Sequence, residues 1–301
     1  IRRPPRSTPL YSSAASDVYK RQLIYNFLMD YIEEKYASGR ITGQIKIHQK
    51  EDFQGMRKVG KLAAELLDLF VKKVEPGVTT ESLDKFALEF ILDNNATPAP
   101  LNYRGFKKSI CTSVNHVVCH GIPGEKILND GDVVNIDVTL ILDGWHGDTS
   151  RMYCAGEPSV KSKNLINTTY ESLMLSLDLI KPGLLLGDLG NFIQNYAEDR
   201  NFSVVREFCG HGIGRVFHDE PNILHYGVEG SGVEIREGMF FTVEPMVNAG
   251  KPGTKMLPDG WTAVTRDRSL SAQFEHSIGV TKDGIEIFTK SLNNTGNPIA
   301  T

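Results

Sequence analysis

Between Val133 and Leu142 apolar and polar side chains alternate: Val134, Ile136, Val138, Leu140 and Leu142 fall on one side, Asn135, Asp137 and Thr139 on the other. That alternation predicts a strand with one face in the core. Asp143-Gly144 supplies a hairpin turn, and the chain returns through Gly147-Asp148-Thr149-Ser150-Arg151-Met152, which brings Asp137 and Asp148 near each other across two strands. Elsewhere the period is helical. Leu23, Phe27, Leu28, Tyr31 and Ile32 predict an amphipathic helix from Leu23 to Tyr36, with Gly39 as its stop. A broader stripe, Met56, Val59, Leu62, Ala63, Leu66, Leu67, Phe70 and Val71, predicts a second helix from Glu51 to Lys73. Val74-Glu75-Pro76-Gly77-Val78 breaks it, and Thr80 caps a third that runs through Leu83, Phe86, Ala87, Phe90 and Ile91. Two more strands are expected, Met239 to Val247 with Glu244 inside it and Phe274 to Val280 with Glu275 at its start.

The helical unit recurs. Pro76-Gly77 reappears 106 residues on as Pro182-Gly183, and the same offset carries Leu83 to Leu189, Phe86 to Phe192, Phe90 to Tyr196, Asp93 to Asp199 and Asn95 to Asn201. Coincidences at helix breakers and core positions imply two copies of a helix, turn, helix, strand module, an internal duplication rather than a solenoid. Helices and strands come in blocks, so the expected fold is α+β, a central antiparallel sheet covered by helices. Residues 45–296 read as one domain without a linker. Residues 23–44 read as a helical extension. Residues 1–22, rich in Arg, Ser, Pro and Tyr with one acid, Asp17, read as a disordered stretch foreign to the protein, or alternatively a targeting leader.

Net charge changes the picture only by exclusion: at −4 it gives no reason to expect nucleic acid or a membrane surface as partner. No apolar run approaches the ~20 residues that span a bilayer. Cys111, Cys119, Cys154 and Cys209 form no CxxC pair, so reduced thiols of a cytoplasmic protein are expected.

The chemistry concentrates in Gly210-His211-Gly212-Ile213-Gly214-Arg215-Val216-Phe217-His218-Asp219-Glu220-Pro221, two imidazoles among three glycines ending at a proline. Neither a regular helix nor a strand is expected there; the glycines suit a backbone drawn close to a small ligand. Asp137, Asp148, Glu244 and Glu275 lie in or beside apolar strands, where carboxylates are costly unless a cation joins them. No basic residue sits on the same face, which leaves a metal. With His211 these groups carry more charge than one divalent ion needs, and could bridge two ions that together activate a water. Oxygen-rich ligation suits manganese, iron or cobalt, with zinc or nickel as alternatives. His218, and His120 in its own Gly/Pro turn, are then available to donate hydrogen bonds to a substrate carbonyl as it becomes an oxyanion.

Six motifs, Cys119-His120-Gly121-Ile122-Pro123, Asn135 to Thr139, Gly147 to Ser150, Gly210 to Arg215 with Phe217-His218, Thr242 to Val247 and Gln273 to His276, closely resemble the type I methionine aminopeptidases, in order over about Ile45 to Ile287. The resemblance implies a pita-bread fold with pseudo-twofold symmetry and removal of initiator methionine from nascent peptides. It implies Asp137, Asp148, His211, Glu244 and Glu275 as metal ligands, Asp148 and Glu275 bridging. His120 and His218 would contact the substrate amide, and Glu244 would relay a proton to the leaving amine. The family's methionine pocket maps onto Tyr103, Phe106, Cys111, Phe217 and Trp261, with Pro100 a departure where bacterial relatives often place cysteine. A monomer acting on nascent chains, with ribosome association as an accompanying expectation, completes the reading. Two alternatives stand beside it: an X-Pro-type peptidase of the same fold, and a binding protein that kept the fold without catalysis.

Overall fold

The computed structural model describes residues 31–35, 41–293 and 295–297. Residues 1–22, and the first part of the helix expected from Leu23, lie outside them. Where that helix was expected to end, Tyr31–Lys35 (β1) is instead a strand, paired antiparallel with Ile41–Lys46 (β2) through Tyr31 opposite Lys46 and Ile32 opposite Ile45. Tyr and Ile serve a strand as well as a helix face, and the neighbouring strand decides between them.

Two helices follow, α1 (Asp52–Phe70) and α2 (Thr80–Asp93). The cap of α2 is Thr79, one residue earlier than expected; its hydroxyl accepts from the Ser82 N–H at 3.2 Å. Then come Cys111–Val114 (β3) and the hairpin Asp132–Leu142 (β4) and Trp145–Ala155 (β5), paired in continuous register from Asp132 opposite Ala155 to Leu142 opposite Trp145. Asp143 and Gly144 turn it with φ of 52° and 78°, left-handed values that match the twist of a two-residue hairpin. Helix α1 packs on this hairpin, and Met56, Val59, Leu66 and Phe70 are fully buried beneath it.

The second module repeats backbone hydrogen bonds of the first. Helices α3 (Val160–Leu177) and α4 (Leu186–Glu198) correspond to α1 and α2. Gly77 and Gly183 have φ of 93° and 95°, and their N–H groups bond the carbonyls of Leu128 and Ile235 at 2.8 and 2.9 Å. Asn95 and Asn201, at the ends of α2 and α4, share φ of 55° and 62°. The duplication read from spacing is therefore a duplication of backbone hydrogen bonding.

Strands Gly210–Gly212 (β6), Asp219–Ile223 (β7), Phe240–Val243 (β8), Met246–Asn248 (β9), Ser271–Gln273 (β10) and His276–Val280 (β11) complete the frame that carries the site. One sheet orders them β7, β6, β8, β11 and another pairs β10 with β9, all antiparallel. The strand expected over Met239–Val247 is thus broken at Glu244-Pro245, and the one expected from Phe274 starts two residues later at His276, separated from β10 by Phe274-Glu275. Proline has no N–H for a ladder at the first interruption, and each interruption contains one of the site's glutamates, Glu244 or Glu275. The interrupted strands shift from one sheet to the next at these points.

Candidate active site and metal centre

Asp137 and Asp148 sit on facing strands of the hairpin, Asp137 opposite Ser150 and Thr139 opposite Asp148. The Thr139 hydroxyl donates to Asp148 Oδ1 at 2.7 Å. Glu275 is fastened to the same strand by its neighbours: its N–H donates to Ser150 O at 3.0 Å and its carbonyl accepts from the Thr149 hydroxyl at 2.8 Å. Ser277 returns the bond by donating to Asp148 O at 2.6 Å. Two strand segments distant in sequence are thereby held together at the two acids.

His211 is on β6, contrary to the expectation of an irregular loop. A short strand holds it between β7 and β8, and the flanking glycines serve its neighbours: a Cβ on Gly210 would lie 2.4 Å from Thr242 O, one on Gly212 2.1 Å from Glu220 O. Close backbone approach explains the glycines here. His211 N–H donates to the Thr242 hydroxyl at 3.0 Å, and that hydroxyl donates to Glu244 Oε1 at 2.8 Å. Gln273 Nε2 donates to Glu244 Oε2 at 3.2 Å. Nδ1 of His211 lies 3.0 Å from Gly212 O, a contact that leaves Nε2 toward the acids, 3.5 Å from Asp148 Oδ2 and 3.7 Å from Glu244 Oε1.

Ligand atoms of Asp148, His211 and Glu275 all lie within 4.8 Å of one another, and Asp137 and Glu244 line the same cavity. Every sequence-selected ligand candidate therefore converges. The electrostatics favour a cation there. Burial, and then the charges of Asp148 and Glu244, hold the Asp137 carboxyl well above its ordinary range. Glu275 is raised well above its range by burial and the same two carboxylates. Burial pushes Glu244 up to about 7 against the pull of His211. Burial would lower His211, but the Asp148 hydrogen bond and the Glu244 charge outweigh it and raise the imidazole to about 9. Asp137 Oδ1 is buried without a hydrogen-bond partner. A buried acceptor left bare among repelling carboxylates is what a divalent cation would satisfy.

The cavity, about 380 Å³, is also lined by Pro100, Tyr103, Phe106, Cys111, Phe217 and Trp261, so the expected side-chain pocket adjoins the acids. Phe106 meets Trp261 edge to face at 5.2 Å, and Tyr103 lies 5.1 Å from Phe217. His120, held in a left-handed conformation with φ of 55°, stands edge-on to Trp261 at 6.1 Å. His218 packs 4.3 Å from the His211 ring, and its Nδ1 is 3.1 Å from the Tyr103 hydroxyl. Burial lowers the pKa of His120. Solvent reaches the His218 ring, yet desolvation on its inner side and the neighbouring His211 charge lower it too. Both imidazoles thus border the acids as neutral rings.

Sequence reasoning missed the groups that hold the acids. Thr242 could have been found, since it stands two residues before Glu244 and so shares its face of a strand. His225 accepts a bond from the Glu244 backbone N–H, and no spacing pointed to it. Phe208, Cys209 and Met246 also line the cavity.

Residues 54–282 match metallopeptidase family M24. The chain is 62% identical over 248 residues to a methionine aminopeptidase of Rickettsia prowazekii, an alignment covering 82% of this chain and 96% of that one. The crystal structure of methionine aminopeptidase from Rickettsia prowazekii superposes with a TM-score of 0.81, at 62% identity, over 82% of this chain and 100% of that chain. An Xaa-Pro dipeptidase from Bacillus anthracis, 24% identical with a TM-score of 0.64, shares the fold, and 62% of its length is covered. The duplicated arrangement is the pita-bread fold, and membership of a metallopeptidase family implies a divalent metal. By these matches the chain belongs to metallopeptidase family M24 and, within it, to the methionine aminopeptidases.

Proposed function

We propose that this protein removes the N-terminal methionine from newly made peptides, and that Asp137, Asp148, His211, Glu244 and Glu275 would hold the two divalent ions the reaction uses. The observation that carries the proposal is the convergence of these five groups, one with a bare buried oxygen, beside a pocket of aromatic walls and one thiol. Oxygen-dominated ligation favours manganese, iron or cobalt. Ions bound there supply Lewis acidity and ionise a water near neutral pH.

The chain's own residues do the rest. Tyr103, Phe106, Cys111, Phe217 and Trp261 enclose the methionine side chain, whose polarizable sulfur suits aromatic edges and a thiol. With Nδ1 of His218 bonded to Tyr103, Nε2 is the nitrogen that meets the scissile carbonyl. His120, edge-on to Phe208 at 5.6 Å in the same cavity, supports the substrate amide as well. Glu244, pinned by Thr242 and Gln273, takes the proton of the attacking water and passes it to the leaving amine.

Four cysteines without disulfides are consistent with a reducing, cytoplasmic setting, and among the described residues no helix is long and apolar enough to cross a membrane. The proposal includes a monomer that meets its substrates as they leave the ribosome. A peptide panel tests the activity: with manganese, Met-Ala-Ser should release methionine while Leu-Ala-Ser and Ala-Pro-Ser stay intact. Cleavage that required proline in second position would replace it with an X-Pro reading.

A further inference from the structure

Beyond the catalytic cavity lies a larger one, about 820 Å³, walled mainly by Leu186, Leu224, Tyr226, Val228 and Val233, with Arg206 and Gln194 also lining it. The two share a wall residue. Cys209 borders the catalytic cavity and the large one, and also a third of about 300 Å³ that touches His211 and His218. Asn222 lines the third and the large cavity, and its Oδ1 accepts from the Cys209 thiol at 3.6 Å. The large groove therefore adjoins the cavities beside His218 at Cys209 and Asn222.

The duplication shows why this groove is apolar. The first turns of α2 and α4 close on matching loops through the same bonds: Thr80 N–H to Lys126 O at 3.0 Å and Glu81 N–H to Gly124 O at 2.9 Å in one copy, Leu186 N–H to Val233 O and Gly187 N–H to Ser231 O, both 2.9 Å, in the other. In the first copy the Thr80 hydroxyl also bonds Gly124 O at 3.0 Å and Gly124 N–H at 2.9 Å. Leu186 stands where that hydroxyl would be. The second copy offers hydrocarbon, and at its rim Val228 is 71% and Leu224 39% exposed. Apolar side chains left in water beside a cavity gain free energy when a ligand covers them.

We infer that this groove binds the downstream part of the substrate peptide and favours apolar side chains there. The inference rests on the aminopeptidase reading, since it is the peptide leaving the site past His218 that reaches the groove. An extended chain advances roughly 3.3 Å per residue, and on this inference the side chains beyond a tripeptide's length lie in the groove. It adds a selectivity that the methionine pocket cannot supply.

The test compares kcat/KM of the metal-loaded enzyme on Met-Ala-Ser, Met-Ala-Ser-Leu-Ile-Leu and Met-Ala-Ser-Asp-Gly-Asp. The apolar hexapeptide should exceed the acidic one by about tenfold, equivalent to ~1.4 kcal/mol. Val228→Asp and Leu224→Ser should each erase most of that ratio while leaving Met-Ala-Ser unchanged. Equal rates on both hexapeptides in the wild type would overturn the inference, as would a ratio that survives both substitutions. If wild type failed to cleave Met-Ala-Ser, the peptidase reading would fall by itself. Fluorescence titration with dansylated Ala-Ser-Leu-Ile-Leu would then decide the groove: binding weakened by Val228→Asp supports it, and binding that is absent or indifferent to the substitution overturns it.

Discussion

The backbone N–H of Glu244 donates to Nε2 of His225 at 3.0 Å, in the gap where the strand carrying Glu244 is broken. His225 is 1% exposed, and burial drives its pKa down to about 3, so the ring is neutral and Nε2 carries a lone pair. His225→Leu leaves that N–H buried and unpaired, which costs about 1–3 kcal/mol. Thermal midpoint and manganese affinity should both fall. His225→Gln, which keeps an acceptor, should recover most of the affinity in a calorimetric titration; equal loss in both variants would show that the hydrogen bond does not position Glu244.

His218 is assigned to the substrate, not to the metal. His218→Ala should lower kcat by roughly 10²–10³-fold, as loss of one oxyanion donor does, with metal content unchanged. Steady-state kinetics and elemental analysis of the same preparation check both halves. An unchanged kcat would remove His218 from the reaction.

Metal removal has a pH signature. Glu244 is raised from 4.5 to about 7 and His211 from 6.5 to about 9. A group with a raised folded-state pKa contributes stability below its unfolded value and loses it as pH climbs through the folded one. The chelated protein should therefore weaken progressively from about pH 5 to pH 9, and the gain in thermal midpoint on adding manganese should be greater at pH 8.5 than at pH 6. Scanning fluorimetry with and without chelator reads this directly; a chelated midpoint that rises with pH contradicts it.

Asp68 ties Ser291, Leu292 and Thr295 to α1. Its carboxylate accepts from Arg151 Nη1 at 2.8 Å, from the Ser291 and Thr295 hydroxyls at 2.7 and 2.8 Å, and from the Leu292 N–H at 3.1 Å. The Arg151 and Asp68 side chains are 4% and 2% exposed, so Asp68→Ala strands a buried guanidinium at a cost of about 3–5 kcal/mol. A fall in thermal midpoint of about 10 °C is expected, with KM for Met-Ala-Ser little changed in the protein that remains folded.

How much of this was legible in the sequence follows from how local each signal is. The β4–β5 hairpin was readable because alternation and an Asp-Gly turn are properties of a few adjacent residues. The duplication was readable because Gly77 and Gly183 need the same left-handed backbone. The five convergent donors were readable because acids in apolar strands demand a reason. The breaks at Glu244-Pro245 and Phe274-Glu275 were not, since they depend on which sheet each half-strand joins. His225 stayed hidden because its partner is a backbone N–H nineteen residues away, which no side-chain pattern records. Tyr31 and Ile32 fitted a helical stripe and a strand alike, and pairing with Ile41–Lys46 settled them.

Methionine release from Met-Ala-Ser, followed while manganese is titrated into chelator-stripped protein, tests most directly whether the convergent acids hold catalytic cations. No release should occur without metal, and activity should rise to a plateau by about two equivalents per chain. Asp148→Asn should stay inactive throughout and retain less metal. Full activity in excess chelator, or a normal titration by Asp148→Asn, would contradict the account.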